Sequence, residues 1–234
     1  MRRAGGERSV SWPDGMRCAA SFTFDFDAEE AWIADDPANA DRPGVLSQGT
    51  YGAKIAVPLI LERLRDHGVT GTFFVPGRVA ERHPERVRQI VAAGHELAHH
   101  GYTHTSPTSL SPEEEEAELV KGLEVLRSFA TEIVGYRSPA WDFSSHTEGL
   151  LERHGFAYSS NLMDDLWPYR REGTSLVEVP IQWTLDDAAH FWFDGETWTK
   201  KIATAGEVRE IWEGEFRGYH RLGGAFVLTM HTRR

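Results

Sequence analysis

Short apolar runs alternate along this chain with longer segments in which apolar residues recur at helical spacing. The run Ala19–Phe26 is rich in aromatic and β-branched side chains, which predicts a buried strand. From Ile55 to His67 the apolar positions fall on one helical face, and Gly68 follows as a stop signal. These apolar positions are Val57, Ile60, Leu61 and Leu64.

The same alternation continues to the end of the chain. Helices are predicted from Glu85 to Ala93 and from Ser111 to Phe129, the second opened by a capping box. Further strands are predicted at 69–75, 134–137, 156–159, 176–179 and 225–230. Repeated strand–helix–strand order predicts an α/β fold with parallel strands. The stretch from Ile33 to Thr50 shows no strong pattern and is expected to form a functional loop.

The composition is that of an ordinary soluble globular protein. The 234 residues are 40% hydrophobic and 26% charged, which is enough to bury the core of one domain. We expect an N-terminal extension over residues 1–18 and a catalytic domain over residues 19–234.

The chain is acidic, with 25 basic and 36 acidic residues and a net charge of −11. Such a surface repels phosphate backbones and anionic lipid, so we expect no nucleic-acid or membrane partner. The single cysteine, Cys18, excludes an internal disulfide. No apolar run approaches the ~20 residues of a membrane span, and the N-terminus lacks the apolar core of a signal peptide. We therefore expect a cytoplasmic protein.

Acids, histidines and an arginine gather where the predicted strands end. They are Asp25, Asp27, Arg137, Asp186, Asp187, His231 and a histidine cluster between residues 95 and 104. In parallel α/β folds the carboxyl ends of the strands converge on one face, where reaction sites lie. Any one of these residues alone is more often a loop residue or a helix cap. Their joint placement predicts an active site.

The histidine cluster fits two metal-binding patterns. His95-Glu96-Leu97-Ala98-His99 matches the zinc-protease motif HExxH, in which the glutamate is the general base. His100-Gly101-Tyr102-Thr103-His104 offers a second pair of imidazoles at the same spacing. Gly94 and Gly101 leave little helix to present the first pair, so the protease interpretation is the weaker one. A purely structural role for all four histidines is a further alternative.

The second pair combines with residues at other strand ends. Two imidazoles and one carboxylate make a three-ligand metal site with open positions, and Asp27 would supply the carboxylate. Asp25 precedes it by two residues on an extended chain, points to the same side and would act as base. Arg137 would pair with Asp25 and orient it. His231 would protonate a leaving nitrogen.

Four short motifs follow one another along the chain: Thr23-Phe24-Asp25-Phe26-Asp27, His100-Gly101-Tyr102-Thr103-His104, Arg137-Ser138-Pro139-Ala140-Trp141 and Leu228-Thr229-Met230-His231. As an ordered set they resemble the motifs of the polysaccharide deacetylase (NodB-homology, carbohydrate esterase 4) family. Segments 135–144 and 177–187 resemble its cytoplasmic peptidoglycan-deacetylase-like branch, which includes allantoinase-like and cyclic-imide hydrolases.

This resemblance implies a TIM-like, distorted (β/α)7 barrel with a divalent metal at the strand ends. Zn²⁺ is the expected metal, with Co²⁺, Ni²⁺ or Fe²⁺ as alternatives. The matched positions are the metal ligands Asp27, His100 and His104, the base Asp25, its tether Arg137 and the acid His231. Those matched to the oxyanion or substrate are Ala140, through its backbone N–H, and Trp141, Trp183, Asp186 and Asp187.

Two features depart from the family pattern. Phe26 separates two aspartates that are adjacent in most of the family, as it does in the cytoplasmic branch. Three residues follow His231, where relatives continue with a proline-containing loop and a helix. We therefore expect the covering C-terminal helix to be missing and the last strand to expose apolar surface.

The expected activity is metal-dependent hydrolysis of a carbon–nitrogen bond other than a peptide bond. The expected reaction is N-deacetylation of an N-acetylated sugar or a related small amide. The alternative is an allantoinase-like or cyclic-imide hydrolase acting on a small cyclic amide, and a weaker one is an inactive binding module. Relatives suggest a homotetramer.

Overall fold

An eight-stranded sheet organises the molecule. The computed structural model describes residues 10–193 and 202–232. In chain order the strands are β1 (Ala19–Asp25), β2 (Thr72–Val75), β3 (Glu96–His99), β4 (Gly135–Tyr136), β5 (Tyr158–Ser159), β6 (Tyr169–Arg170), β7 (Val177–Glu178) and β8 (Ala225–His231). Across the sheet their order is β6-β7-β5-β4-β3-β2-β1-β8. Only the β6–β7 pair among these strands is antiparallel, so the predicted parallel architecture is confirmed.

The register of the parallel strands sets several strand ends at one level. Asp25 at the end of β1 lies beside His231 at the end of β8 and beside Phe74 of β2. Val75 is in turn paired with His99, the last residue of β3. Because parallel strands present their carboxyl ends on one side, the residues that follow them meet at a common rim.

Helices connect the strands. In chain order they are α1 (Glu30–Asp35), α2 (Pro43–Tyr51), α3 (Val57–His67), α4 (Gly77–Arg82), α5 (Pro84–Ala92), α6 (Pro112–Arg127), α7 (Thr147–Arg153), α8 (Asp187–Phe191) and α9 (Ala205–Leu222). The helices predicted at 55–67, 85–93 and 111–129 correspond to α3, α5 and α6, and their existence is confirmed. Strands β3 and β6 and helices α1, α2, α4, α7, α8 and α9 were not predicted.

The loop predicted at 33–50 is wrong, since most of that stretch is helical. Pro37 and Pro43 each stand at the start of a helical turn, where the missing N–H has no intrahelical partner to lose. The Asp36 side chain accepts a hydrogen bond from the backbone N–H of Ala38 at 2.9 Å and caps the first of these turns. Residues that commonly form loops therefore start short helices here.

Helix α2 continues through a π-helical turn, Gly52–Ala56, into α3. A methyl group at Gly49 would lie 2.4 Å from the carbonyl oxygen of Ala28. One at Gly52 would lie 2.8 Å from Oγ1 of Thr232. Only glycine permits so close an approach of two backbones. The two glycines therefore allow α2 and the π-helical turn to pack directly on the segments that follow β1 and β8.

Helix α9 covers the last strand. Tyr219 and Trp212 pack against Phe226 and Leu228 of β8, which are each only 6% exposed. The expectation that β8 would expose apolar surface is therefore wrong for the strand itself. On the neighbouring strand β1, Phe22 stays 37% exposed. Among the described helices, none has the length and apolar character needed to cross a membrane.

Part of the predicted N-terminal extension contacts the end of α9. The indole Nε1 of Trp12 donates to the carbonyl oxygen of Gly223 at 2.9 Å, and Arg17 Nε donates to that of His220 at 2.9 Å. Strand β1 begins at Ala19, where the catalytic domain was predicted to begin. The domain boundary itself stays a prediction.

The close approach at Gly49 predicts an asymmetry between two glycines of α2. Gly49→Ala would drive a methyl group into the Ala28 backbone, so we expect the free energy of unfolding to fall by about 1–3 kcal/mol. Gly44→Ala is the matched control, because nothing lies within 4 Å of the added methyl group, and it should be neutral or stabilise by up to about 1 kcal/mol. Urea unfolding measures both, and equal effects would contradict the packing described here.

Candidate active site

Three potential metal ligands lie together at the rim beside β1 and β3. Asp27 follows β1 by two residues, and His100 directly follows β3. The Nε2 atoms of His100 and His104 lie 3.4 and 3.7 Å from Oδ1 of Asp27. Asp27 and His100 are buried, whereas His104 is partly open to solvent. The structure therefore brings together the three ligands that the sequence predicts.

This donor set fits a metal ion of the expected kind. Two donors bound at ~2.1 Å to one tetrahedral ion lie about 3.4 Å apart, which is close to the spacing found here. All three ligand atoms lie within 4.8 Å of one another. Two imidazole nitrogens and one carboxylate oxygen are ligands that suit Zn²⁺ and leave a position for water.

A backbone hydrogen bond fixes the orientation of the His100 ring. Its Nδ1 lies 2.8 Å from the carbonyl oxygen of Arg137. Since a carbonyl oxygen only accepts, Nδ1 carries the proton and Nε2 keeps its lone pair on the side of Asp27. The imidazole is therefore held in the tautomer that a metal ligand needs.

Asp25 and Arg137 form an ion pair that is almost completely buried. Arg137 Nη1 lies 2.7 Å from Asp25 Oδ1, and the two residues are 0% and 1% exposed. The guanidinium also donates to Oγ1 of Thr23 at 2.9 Å and to Oγ of Ser160 at 3.1 Å. Its central carbon lies 4.1 Å from the ring centroid of Phe74. These contacts hold Arg137, and through it Asp25, in one position.

The second oxygen of Asp25 lies near two imidazoles. Its Oδ2 is 4.0 Å from Nε2 of His100 and 3.9 Å from Nε2 of His231. Asp187 holds His231, since its Oδ1 lies 2.7 Å from Nδ1 and its Oδ2 accepts the backbone N–H at 2.9 Å. Because the Asp187 carboxylate accepts a hydrogen bond from the Nδ1–H, Nε2 of His231 is the nitrogen directed at the site.

Asp186 is a second carboxylate beside His231. Its Oδ1 lies 3.5 Å from Nδ1 of His231 and accepts the backbone N–H of Ala188 at 2.6 Å, which caps α8. Burial raises the pKa of Asp186 to about 6, and the charge of His231 offsets part of that rise. The two predicted aspartates thus differ in position. Asp187 holds the imidazole, and Asp186 caps the helix that begins with Asp187.

The segment after β4 forms a strained turn. Ala140 and Trp141, within the 3₁₀ turn Pro139–Trp141, both have a φ of 58°. Positive φ at a non-glycine residue costs about 1–3 kcal/mol, so the surroundings must hold this turn. Ala140 is exposed, whereas the buried ring of Trp141 lies 4.5 Å from that of Trp183, which is 52% exposed.

Sequence patterns missed the groups that support this turn. The backbone N–H of Ser138 donates to Oδ1 of Asn161 at 2.7 Å, and the backbone N–H of Asn161 donates to Oε1 of Glu178 at 2.6 Å. Glu178 is fully buried, and its burial raises the pKa of the carboxyl group despite these hydrogen bonds. The one sign of this role in the sequence was a glutamate inside the apolar run Leu176–Val179.

The zinc-protease alternative is wrong, because its residues form a strand rather than a helix. Four of the five residues of the motif, Glu96 to His99, form β3. Nε2 of His99 donates to the carbonyl oxygen of Leu119 at 3.0 Å, and its Nδ1 accepts the backbone N–H of Gly101 at 3.1 Å. Burial lowers the pKa of His99 to about 3, so this ring is neutral. Both of its nitrogens are already engaged.

Comparison with known proteins identifies relatives along nearly the whole chain. The family model for polysaccharide deacetylases matches residues 50–159. A Mycobacterium smegmatis protein described as a polysaccharide deacetylase is 45% identical in sequence. Its crystal structure matches with a TM-score of 0.91 over 96% of this chain and 80% of that chain. A peptidoglycan deacetylase of Helicobacter pylori is 28% identical over an alignment of 241 positions, gaps included. The alignment covers 90% of this chain and 82% of that protein.

A more distant structure shares the fold. The crystal structure of Puue allantoinase is 20% identical and matches with a TM-score of 0.80 over 95% of this chain and 80% of that chain. Together with the Mycobacterium smegmatis structure, it confirms the predicted distorted barrel.

The raised pKa of Asp186 predicts a pH dependence of stability. A carboxyl group with a pKa of about 6 when folded, against 3.8 in an unfolded chain, stabilises the fold below pH 4. That contribution is lost as the pH rises through 6. Asp186→Asn removes the titrating group, so the variant should gain stability relative to the wild type between pH 4 and pH 7.

Urea unfolding at several pH values measures this difference. Asp36→Asn is the matched control, because Asp36 caps a helical turn in the same way from an exposed position. If the difference between wild type and Asp186→Asn stayed constant from pH 4 to pH 7, the assignment to Asp186 would be wrong.

Proposed function

This chain belongs to the polysaccharide deacetylase family, and from that premise we propose that it removes the acetyl group from an N-acetylated sugar. One observation carries the proposal: a three-donor metal site, the buried Asp25–Arg137 pair and His231 share one rim. The reaction is hydrolysis of a carbon–nitrogen bond, with acetate and a free amine as products. The deacetylase relative in Helicobacter pylori supports this substrate class.

We propose Asp27, His100 and His104 as the ligands of a divalent metal, with Zn²⁺ as the first choice. When bound there, such an ion would supply Lewis-acid polarisation of the scissile carbonyl and of the attacking water. The hydrogen bond from His100 Nδ1 to the Arg137 carbonyl supports the ligand role, because it leaves Nε2 as the free donor.

Asp25 is the proposed general base. Arg137 occupies Oδ1, so Oδ2 is the oxygen that takes a proton from the attacking water. The water oxygen then bonds to the acetyl carbon, and the carbonyl oxygen becomes an oxyanion. We assign the backbone N–H of Ala140 to that oxyanion. The strained turn supports the assignment, because such strain persists where the surrounding structure maintains it.

His231 is the proposed general acid. Asp187 accepts a hydrogen bond from the Nδ1–H of His231, so Nδ1 keeps its proton. The Nε2 proton is therefore the one that passes to the departing nitrogen as the carbon–nitrogen bond breaks. Asp25 gains one proton from water and His231 loses one to the amine, and exchange with solvent restores both. The 3.9 Å between Nε2 of His231 and Oδ2 of Asp25 supports the proposal that acid and base act at one reaction centre.

A small cyclic amide is the alternative substrate, because opening a ureide or imide ring needs the same acid and base. Release of acetate from N-acetylglucosamine oligomers would support deacetylation. Ring opening of allantoin or succinimide, with no acetate released, would assign the alternative. An inactive binding module is disfavoured because the catalytic set is complete: Asp25, Asp27, His100, His104, Arg137 and His231.

The cytoplasmic location and the homotetramer belong to the same proposal. Light scattering of the purified chain in solution measures its mass, and a tetramer would have four times the 26.4 kDa of one chain. Fractionation of the source cells tests the location.

Asp25→Asn should separate metal binding from catalysis. The amide cannot take up the water proton, so turnover of N-acetylglucosamine oligomers should fall by about 10²–10⁴-fold. Metal content should be unchanged, because Asp25 is outside the proposed ligand set. Turnover and metal content are measured on the same preparation. Normal turnover in this variant would remove Asp25 from the role of base.

The metal site itself is tested by metal content per chain. His104→Ala should lose most of the bound metal, because it removes one of three ligands. His95→Ala is the control, since His95 is also a buried histidine but its Nδ1 accepts the backbone N–H of Gly71 at 3.2 Å. Equal metal content in the wild type and in His104→Ala would rule out the proposed site.

A further inference from the structure

The loop that carries two of the proposed metal ligands ends in a residue with an unfavourable backbone conformation. It runs from His100 to His104, and His104 has a φ of 60°. A left-handed backbone is uncommon for a residue with a side chain and costs about 1–3 kcal/mol. His104 needs this conformation to bring Nε2 to 3.7 Å from Asp27 Oδ1. Something outside the loop must therefore hold it.

Glu118, on α6, contacts the residues just before His104. One carboxylate oxygen, Oε2, accepts the backbone N–H of Thr103 at 2.8 Å, the hydroxyl of Thr103 at 2.9 Å and the backbone N–H of Tyr102 at 3.3 Å. Hydrogen bonds to an ionised acceptor are about twice as strong as neutral ones. Three of them converge on one atom immediately before the strained residue.

Helix α6 is itself fixed against this loop. Gly122 follows Glu118 by one helical turn, and a methyl group there would lie 2.9 Å from the carbonyl oxygen of Gly101. The carbonyl oxygen of Leu119 accepts a hydrogen bond from Nε2 of His99 at 3.0 Å. Because the helix contacts the end of β3 at Leu119 and the loop at Gly122, both within one turn after Glu118, that carboxylate is held close to Thr103.

We infer that Glu118 is a positioning residue for the metal site, which holds His104 in its strained backbone conformation so that its Nε2 faces Asp27. The inference rests on the proposed function, because it takes His104 as a ligand. Without this support the backbone of His104 would relax toward a negative φ and move its imidazole away. Loss of a group that orients a metal ligand commonly weakens binding by about 10–100-fold.

The experiment is a Co²⁺ titration of the metal-free full chain, followed by visible absorption. Glu118→Ala should bind Co²⁺ about 10–100-fold more weakly than the wild type. Glu118→Gln should largely restore the affinity, because its amide oxygen can accept the same three hydrogen bonds. Glu116→Ala is the matched control, since it removes a carboxylate from the same helix and one hydrogen bond, to His154 at 3.0 Å.

A second variant covers the case in which Glu118→Ala does not fold. Thr103→Val removes the hydroxyl bond to Glu118 and the contact with Oγ1 of Thr105 at 2.8 Å but keeps both backbone bonds to Glu118, so it should weaken Co²⁺ binding by about fivefold. Unchanged Co²⁺ affinity in Glu118→Ala would overturn the inference, even if its thermal stability fell. Unchanged affinity in Thr103→Val would do so if Glu118→Ala were unfolded. A wild type that binds no Co²⁺ would instead overturn the metal site of the proposed function.

Discussion

The buried charge of Arg137 is the constraint on which the rest of the site depends. A guanidinium with no exposed surface must be paired, because removing one partner of such a buried pair costs about 3–5 kcal/mol. Asp25 supplies the opposite charge, and Thr23 and Ser160 accept further hydrogen bonds. The backbone carbonyl oxygen of the same arginine accepts a hydrogen bond from Nδ1–H of His100. One residue thus fixes the proposed base through its side chain and a proposed metal ligand through its main chain.

Backbone strain is concentrated around this centre, and each strained loop has a support from another element. Five of the described residues other than glycine have a positive φ. Four of them lie in rim loops: Ala28, His104, Ala140 and Trp141. Gly49 of α2 packs on the first loop, Glu118 of α6 binds the second and Asn161 binds the third. The supports come from distant parts of the sequence, so the rim is rigid only when the whole fold is present.

The sequence predicted the parts of the site that depend on strand ends. Asp25, Asp27, Arg137 and His231 follow apolar runs that are easily recognised, and parallel strands bring such ends together. The structure differs where local signals have more than one meaning. Pro37 and Pro43 start helical turns in a stretch predicted to be a loop. Strand β3 has only four residues, and its histidines suggested a metal motif rather than a strand.

The supports were invisible for a different reason. Glu118 lies in an acidic, solvent-facing helix pattern, and nothing in that pattern distinguishes it from Glu116. Its role comes from the packing of α6 against the loop, which depends on Gly122 and on the partner residues of β3. Residue spacing along one helix cannot report contacts that arise between elements.

The pairing of β1 with β8 also has a consequence for the order in which the protein is made. Asp25 and His231 are neighbours in the sheet, yet they lie 206 residues apart in the sequence. On the ribosome, the first strand therefore emerges long before its partner has been synthesised. Contacts of such long sequence separation are slow to form. The strands before β8 have the opportunity to pair first, and the proposed acid and base meet only when β8 docks on β1.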